Sequence, residues 1–336
     1  MALRKDYPWL TPAAPAVISS PMMKICMSKL TVETTLAGGL AFLAAGFDVS
    51  NLAKDLAECA ELFQKASFTL SDNNSLPIGV GFQNWGADLQ VTLKALQQHP
   101  VAAVWFFGPK KLKDYAKWTE SIREISNNKT KIWIQVGTVA EALEVVRLCR
   151  PDVLVVQGAD SGGHGLRQRA GIITLLPEIA DALRRKGIHI PLVAAGGIID
   201  GRYRDEILRV VDGGVATAPS TIYDKARGIT GWPETYVGRG VTNKTYHDAA
   251  RGRNENVIKA LHDEALEKSG GTKGWGPRGR LTTYAGTGVG LVREVKSARE
   301  IVQEIQRDAS YILGRRAADY DATRGRPSGD GLRSKL

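Results

Sequence analysis

The stretch DVLVVQGADSGGHG, at residues 152–165, decides the fold class. Its first half is a short apolar run of the kind that forms a strand buried on both faces, as in a parallel sheet. Its second half is a glycine-rich turn. Six more apolar runs of this kind occur along the chain: AVISS (16–20), LAFLAA (40–45), PIGVGF (77–82), VAAVWFF (101–107), KIWIQVG (131–137) and PLVAAGG (191–197). The sequence therefore predicts seven buried strands.

Amphipathic segments separate most of these strands. In residues 50–69 the apolar side chains recur every three to four positions, which predicts a helix with one buried face. Another helical pattern begins at Thr138 and has Glu141 three positions later, the spacing of a capping box. Similar patterns cover 172–186 and 296–312. Repeated strand–helix units build a parallel sheet, and seven of them favour a (β/α)8 TIM barrel over an open doubly wound sheet.

A closed barrel needs an eighth strand, and only a weak candidate follows. Residues 202–211, RYRDEILRVV, have a helical pattern, and residues 213–220, GGVATAPS, are a short, glycine-rich candidate strand that ends near Pro219. We therefore expect a barrel in which helix seven and strand eight are missing or substituted.

The remaining sequence predicts one domain with a cap and a tail. The barrel domain is expected to span residues 1–313 and to include a polar, glycine-rich, cap-like excursion over 222–294. A final helix at 295–313 is expected to pack back on the barrel. Residues 314–336 are expected to form a disordered basic tail.

Composition is that of a globular protein, with 43% hydrophobic and 24% charged residues. The net charge of +10 is concentrated in the tail and in RGR pieces, without a basic stripe interleaved with aromatic residues, so no nucleic-acid partner is expected. No apolar run is long enough to span a bilayer, and the N-terminus lacks the pattern of a secretory signal, so no membrane partner is expected. We expect a cytoplasmic protein and leave its oligomeric state open, with a homodimer as one option.

Cysteine and histidine usage gives no sign of a metal site. The three cysteines are odd in number and widely spaced, as expected of reduced core thiols. The five histidines form no ligand cluster in the sequence. We therefore predict no metal.

The turn after residue 157 is the strongest candidate for a functional site. Active sites of such barrels lie at the carboxyl ends of the strands, and His164 is placed there with Gly162 and Gly163 beside it. A histidine can act as a base near neutral pH, and adjacent glycines allow the backbone to approach a ligand. The alternative is a glycine-rich turn with a solvated histidine.

Two further turns follow strands of the same predicted sheet. Gly196 and Gly197 end the next strand, where backbone N–H groups commonly bind phosphate, although a tight strand–helix turn would have the same sequence. Ser20-Pro21-Met22 follows the first strand, and a methionine there could lie against a flat aromatic ligand.

The order of these motifs resembles the nitronate monooxygenase family, formerly called 2-nitropropane dioxygenase. The resemblance rests on PM after strand one, AGGLAF at strand two, GVGF at strand three, QGxxxGGHG after strand six and AAGGI after strand seven. GITGWPE–GRG (229–240) and the closing GTGVGL are similar too, so that the resemblance covers roughly residues 7–313. It implies an FMN-dependent TIM barrel that oxidises alkyl nitronates or nitroalkanes with oxygen to carbonyl compounds and nitrite.

The resemblance also implies roles for single residues. His164 would be the catalytic histidine, which takes a proton from the carbon beside the nitro group or holds the anionic nitronate. The FMN-binding residues would be Met22, Gly81, Gln157, Gly162, Gly163, Gly196 and Gly197, the last two at the phosphate.

One departure from the family pattern affects the phosphate site. After Arg202 the family has a helix, a strand of the type GADGVVMG and a GTRF phosphate turn, whereas this chain continues directly with YRDEIL. One interpretation is that residues 202–220 substitute for the missing helix and strand, with Thr217, Ser220 and Thr221 in contact with phosphate. The other interpretations are a weakened relative and a gene model that lost an exon.

Two other functions stay open at this point. A flavin-dependent enoyl-thioester reductase on the same barrel would oxidise a nicotinamide cofactor. A catalytically impaired relative would bind flavin or phosphate without turnover.

Overall fold

Seven parallel strands form the centre of the protein. The computed structural model describes residues 2–12, 14–69, 75–197, 212–271, 273–292 and 294–324. The strands are β1 (Ile18–Ser19), β2 (Leu40–Gly46), β3 (Leu76–Gln83), β4 (Val101–Phe107), β5 (Lys131–Val136), β6 (Val153–Gln157) and β8 (Leu192–Ala195). Each lies within or beside one of the predicted apolar runs.

These strands pair in the order β1-β2-β3-β4-β5-β6-β8 and curl into a half-barrel. Every pairing in this sheet is parallel, with Trp105 opposite Trp133 and Gln157 opposite Ala195. Among the described residues β1 and β8 are the two edges of the sheet. The prediction of a TIM-barrel-like α/β fold is confirmed, and the described residues contribute seven strands to its parallel sheet.

Helices cover the outer face of the sheet. They are α2 (Ser28–Leu36), α3 (Leu52–Lys65), α4 (Leu89–Gln98), α5 (Asp114–Ser126), α6 (Val139–Cys149) and α7 (Ile172–Arg185), whereas Leu3 of the short helix α1 (Ala2–Asp6) packs against the core on the inner face. The cap at Thr138 is confirmed, because its hydroxyl accepts a hydrogen bond from the N–H of Glu141 at 3.1 Å. The Glu141 carboxylate accepts from the N–H of Gly137, at 2.8 Å, so the cap reaches one residue further back than a capping box predicts.

Large aromatic side chains fill the inside of the half-barrel. Phe42, Trp105 and Trp133 pack together there, with ring centroids 5.0–6.2 Å apart. The N-terminal segment closes this core from one side, since the buried Tyr7 hydroxyl accepts a 2.7 Å hydrogen bond from the Trp133 indole N–H. The lower part of the barrel is therefore a packed core.

A second, antiparallel sheet stands apart from the seven-stranded one. It has the order β7-β10-β9, with β7 at Gly163–Leu166, β9 at Thr217–Ser220 and β10 at Tyr236–Val241. The candidate eighth strand is therefore wrong: residues 213–216 form the short helix α8, and residues 217–220 pair with β10. Pro219 explains the outcome in part, because a proline lacks the N–H that a central barrel strand donates and is tolerated on an edge strand such as β9. The predicted helix at 202–211 lies outside the described residues.

The excursion and the C-terminal helix complete the structure. The excursion contains α9 (Ile222–Arg227), α10 (Lys244–Ala250), α11 (Glu255–Ser269) and a 3₁₀ turn at Thr287–Leu291. The final helix, α12 (Ala298–Arg324), packs on α2, as predicted, and extends beyond residue 313. Residues 325–336 lie outside the described residues. No helix within the described ranges is both long and apolar enough to cross a membrane.

Candidate active site

Three glutamines project into the half-barrel near the carboxyl ends of its strands. Successive residues of a strand face opposite sides, so Gln135 shares the inner face with Trp133, and Gln157 shares it with Val155. Gln83 ends β3 and is buried. The inside of the sheet therefore changes from aromatic to polar toward the end where barrels of this class carry their active sites.

Some polar atoms at this end are buried without a partner. Within the described residues, no hydrogen bond reaches Oε1 of Gln83, Nδ2 of Asn84 or Nε1 of Trp85. By contrast, Gln135 accepts from the Trp105 indole at 3.3 Å. Buried polar atoms are rarely left unpaired, so three of them in consecutive residues indicate a place where a polar ligand binds.

His164 lies beside this polar region, on β7. Five residues separate the end of β6 from the start of β7, so His164 follows the carboxyl end of a barrel strand, as predicted. The Gln157 side-chain amide donates to the backbone carbonyl of His164 at 3.0 Å and so joins β6 to β7. Only 10% of the His164 side chain is exposed. The imidazole is therefore held at the mouth of the half-barrel.

A carboxylate from the excursion binds the imidazole. Nε2 of His164 lies 2.9 Å from Oδ1 and 2.8 Å from Oδ2 of Asp224, on α9. Asp224 also accepts a 3.0 Å hydrogen bond from the Tyr284 hydroxyl, which in turn accepts from Arg227 at 3.3 Å. Burial and the nearby Asp224 charge raise the pKa of Tyr284, so this phenol stays protonated and donates.

Aromatic rings hold the imidazole from two directions. Trp232 stacks on one face, with ring centroids 3.9 Å apart and planes 5° from parallel. Tyr284 approaches edge-on at 5.2 Å. Trp232 also lies 5.8 Å from Trp85, after β3, so the excursion contacts the mouth of the half-barrel through aromatic side chains.

Arg169 stabilises the turn between β6 and β7 through hydrogen bonds. Its guanidinium donates to the carbonyls of Gly158 and Leu166 and, at 2.9 Å, to the Ser161 hydroxyl. Burial lowers the pKa of Arg169 to about 10, which still leaves the side chain charged at neutral pH. The arginine thus fixes the turn that carries His164.

The predicted cofactor residues lie around this mouth. Gly81, on β3, packs against Pro21, so that the turn with Met22 after β1 lies beside β3. Gly196 and Gly197 follow β8 with φ of 109° and 75°, values that favour glycine. The Gly196 backbone approaches Ser161, which brings the turns after β6 and β8 together.

Gly162 and Gly163 differ in their surroundings. A methyl group on Gly162 would lie 2.6 Å from backbone atoms of Ala285 and Gly286, so this glycine permits packing against the GTGVGL loop. A methyl group on Gly163 would meet nothing within 4 Å, although its φ is 72°. Packing within the protein therefore explains Gly162, whereas the space beside Gly163 is open.

Sequence reasoning missed the partners of His164. Asp224 lies 60 residues away, in a helix whose sequence has no distinctive motif. Trp232 belongs to the GITGWPE stretch and Tyr284 begins the glycine-rich segment YAGTGVGL, but neither motif indicates a contact with a histidine. The sequence already indicates Gln83, Asn84 and Trp85 as polar groups beside aromatic residues at the end of the third strand, and an inward polar residue in an otherwise apolar run was a usable signal for Gln135. Among the described residues, no group of histidine, cysteine, aspartate and glutamate side chains is arranged to hold a metal ion.

The protein therefore has a TIM-barrel-like α/β fold with a His–Asp pair and unpaired buried polar atoms at its strand ends, groups that are chemically able to bind a polar ligand and to exchange protons. Comparison with known proteins identifies the family to which the chain belongs. Residues 87–220 match the family model for nitronate monooxygenase. The chain is 40% identical to the nitronate monooxygenase npaC of Metarhizium robertsii, over 93% of this chain and 95% of that protein. It is 31% identical to a nitronate monooxygenase of Neurospora crassa, over 92% and 93% of the two chains. The chain belongs to the nitronate monooxygenase family and is an oxidoreductase.

Solved structures agree on the fold. FabK from Thermotoga maritima superposes with a TM-score of 0.67 at 18% identity, over 94% of this chain and 98% of that one. A nitroalkane oxidase from Streptomyces ansochromogenes gives 0.59 at 20% identity, over 93% and 100% of the chains.

The comparison also bears on length. The match to the Metarhizium robertsii protein extends over 346 positions, more than the 336 residues of this whole chain, so that relative contains positions that this chain lacks. This agrees with the expectation that the chain lacks a segment of the family pattern.

Proposed function

We propose that this protein oxidises alkyl nitronates and nitroalkanes with oxygen, using FMN, to carbonyl compounds and nitrite. Family membership supports the reaction class. The observation that carries the proposal is the imidazole of His164, bound to Asp224 and held at the mouth of the half-barrel beside unpaired polar atoms.

The residues at the mouth fit a flavin. Gln83 offers an unpaired acceptor, and Asn84 and Trp85 offer unpaired donors, which complement the alternating carbonyl and N–H groups of an isoalloxazine edge. Met22 and Gly81 would lie along the ring, Gln157, Gly162 and Gly163 would contact the ring or ribityl chain, and Gly196 and Gly197 would give N–H groups to the phosphate. When bound, FMN supplies the redox chemistry between nitronate and oxygen.

His164 would act on the carbon beside the nitro group. A proton on that carbon is acidic because the nitro group delocalises the resulting charge, so a neutral imidazole is a sufficient base. After it accepts the proton, the imidazolium would stabilise the anionic nitronate by charge. Trp232 would limit rotation of the ring and exclude water from one of its faces.

The test is a comparison of His164→Asn with the wild-type protein. We expect nitrite release from a nitroalkane to fall by a factor of about 10² or more, in the range of general-base catalysis, while the visible flavin spectrum is retained. His189→Asn, at an exposed position before β8, is the matched control and should behave as wild type. Unchanged turnover in His164→Asn would overturn the assignment of this residue.

Two outcomes would favour the other functions. Oxidation of NAD(P)H without any nitroalkane would favour an enoyl-thioester reductase. Purified protein that stays colourless after FMN is added and dialysed would favour an impaired relative.

A further inference from the structure

We infer that Asp224 is a positioning residue that fixes the tautomer of His164, so that Nδ1 is the atom that accepts the substrate proton. The inference rests on the proposed function for its substrate, a nitroalkane. The role of Asp224 and the choice of Nδ1 follow from the contacts that the excursion makes with His164.

The contacts decide which ring nitrogen carries the hydrogen. Both oxygens of Asp224 lie within 2.9 Å of Nε2, and a carboxylate only accepts hydrogen bonds. Nε2 must therefore be the protonated nitrogen of the neutral ring. Among the described residues Nδ1 has no hydrogen-bond partner, so its lone pair is available.

The carboxylate is itself held in place. Asp224 is 7% exposed, and the Tyr284 hydroxyl donates to its Oδ1. Ile222, Tyr223 and Ala226, on the same helix, are buried against Ile258 of α11, so the backbone of α9 is fixed by apolar packing. A carboxylate with a fixed backbone and a second donor is suited to hold the imidazole orientation that a base requires.

The proton is transferred from the substrate carbon to His164, and Asp224 compensates the charge that forms on the ring. The C–H bond beside the nitro group breaks, and the proton moves to Nδ1 of His164. The electron pair of that bond forms the C=N bond of the nitronate, and the negative charge moves to the nitro oxygens. The imidazolium keeps its Nε2 hydrogen toward Asp224, whose charge compensates the positive ring.

The two substrates of the proposed function make different demands on this arrangement. A nitroalkane needs an unprotonated Nδ1, whereas a preformed nitronate has already lost its proton. In Asp224→Asn the side-chain amide can donate to Nε2, which shifts the hydrogen to Nδ1. That tautomer cannot accept the carbon proton, but it can still donate to the oxygens of a nitronate.

The kinetic experiment compares both substrates in FMN-loaded wild type and Asp224→Asn. We expect kcat/KM for the nitroalkane to fall about 100-fold or more relative to kcat/KM for the preformed nitronate, as expected when a general base is lost. Asp224→Glu should restore part of the ratio of the nitroalkane kcat/KM to the nitronate kcat/KM. Asp263→Asn, beside His262 on α11, is the control and should leave the ratio unchanged. Equal losses on both substrates in Asp224→Asn would overturn the inference.

A spectroscopic experiment tests the tautomer without any turnover. In ¹⁵N-histidine-labelled protein, two-bond ¹H–¹⁵N spectra identify the protonated ring nitrogen, and His164→Asn assigns the resonances. We expect hydrogen on Nε2 in wild type and on Nδ1 in Asp224→Asn. Hydrogen on Nδ1 in the wild type would overturn the inference even if Asp224→Asn does not fold. Absence of turnover of both substrates by wild type, with the expected tautomer, would reject the proposed function alone.

Discussion

Gly238, in the middle strand of the small sheet, provides a way to disturb the His164 site without changing any of its polar groups. Gly238 pairs with His164 across β7 and β10. A methyl group there would lie 2.8 Å from Cε1 of Tyr284 and 3.4 Å from Nε2 of His164. Favourable carbon contacts are about 3.5–4.0 Å, so in Gly238→Ala the Tyr284 ring must move away by roughly an ångström.

This displacement has two calculable consequences. Overpacking of a buried site costs about 1–3 kcal/mol, which lowers the melting temperature by several degrees in a chain of this size. A shift of about 1 Å would break the 3.0 Å bond from Tyr284 to Asp224, and misplacement by that amount can reduce turnover about 10²-fold. We therefore expect Gly238→Ala to lose between about 10- and 100-fold in nitrite release.

The assay measures nitrite release and thermal unfolding in parallel. Gly214→Ala, on the exposed helix α8, is the control, because its methyl group would meet only the Asp212 carboxylate oxygen, at 3.3 Å. It should match wild type in both measurements. Wild-type turnover by Gly238→Ala would refute the reasoning, because the crowded ring would then have no part in holding the site.

Two further predictions concern stability. Tyr7→Phe removes the acceptor of the buried Trp133 N–H, so we expect the free energy of unfolding to fall by about 1–3 kcal/mol relative to wild type in denaturant titration. An unchanged midpoint would contradict this. Burial raises the pKa of Glu141 in the folded protein, so stability is lost as the pH rises from the ordinary glutamate pKa through the raised one. Glu141→Gln cannot ionise and keeps an oxygen that accepts from the Gly137 N–H. We expect the melting temperature of Glu141→Gln, measured relative to wild type, to rise between pH 5 and pH 7.5, because the effect begins above the ordinary glutamate pKa of about 4.3. A fall in this difference over the same interval would contradict the prediction.

The barrel strands could be predicted because they are buried on both faces. Val101–Phe107 is strand from end to end, as its apolar run indicates. The helix start at Thr138 followed from local capping chemistry, which depends on neighbours in sequence. These features are encoded within short windows, so a single sequence is enough to find them.

The site was harder to predict because its parts come from distant segments. His164 stood out through the motif that contains it, but nothing in the sequence IYDKAR (222–227) marks Asp224 as the partner of a histidine. The prediction of the eighth strand was wrong for a related reason. Residues 217–220 do form a strand, but they pair with β10 in the small antiparallel sheet, which no local sequence pattern indicates. For Gly162 the structure adds a packing contact that the sequence did not indicate, because the backbone at Ala285 and Gly286 lies close to it.

The central claim is that this chain oxidises a nitronate with bound FMN. The most direct measurement is the visible spectrum of FMN-loaded protein mixed with an alkyl nitronate in the absence of oxygen. We predict that the flavin absorbance is lost on mixing and returns when oxygen is admitted, with nitrite released. A spectrum that stays unchanged with nitronate but is bleached by NAD(P)H would contradict the account.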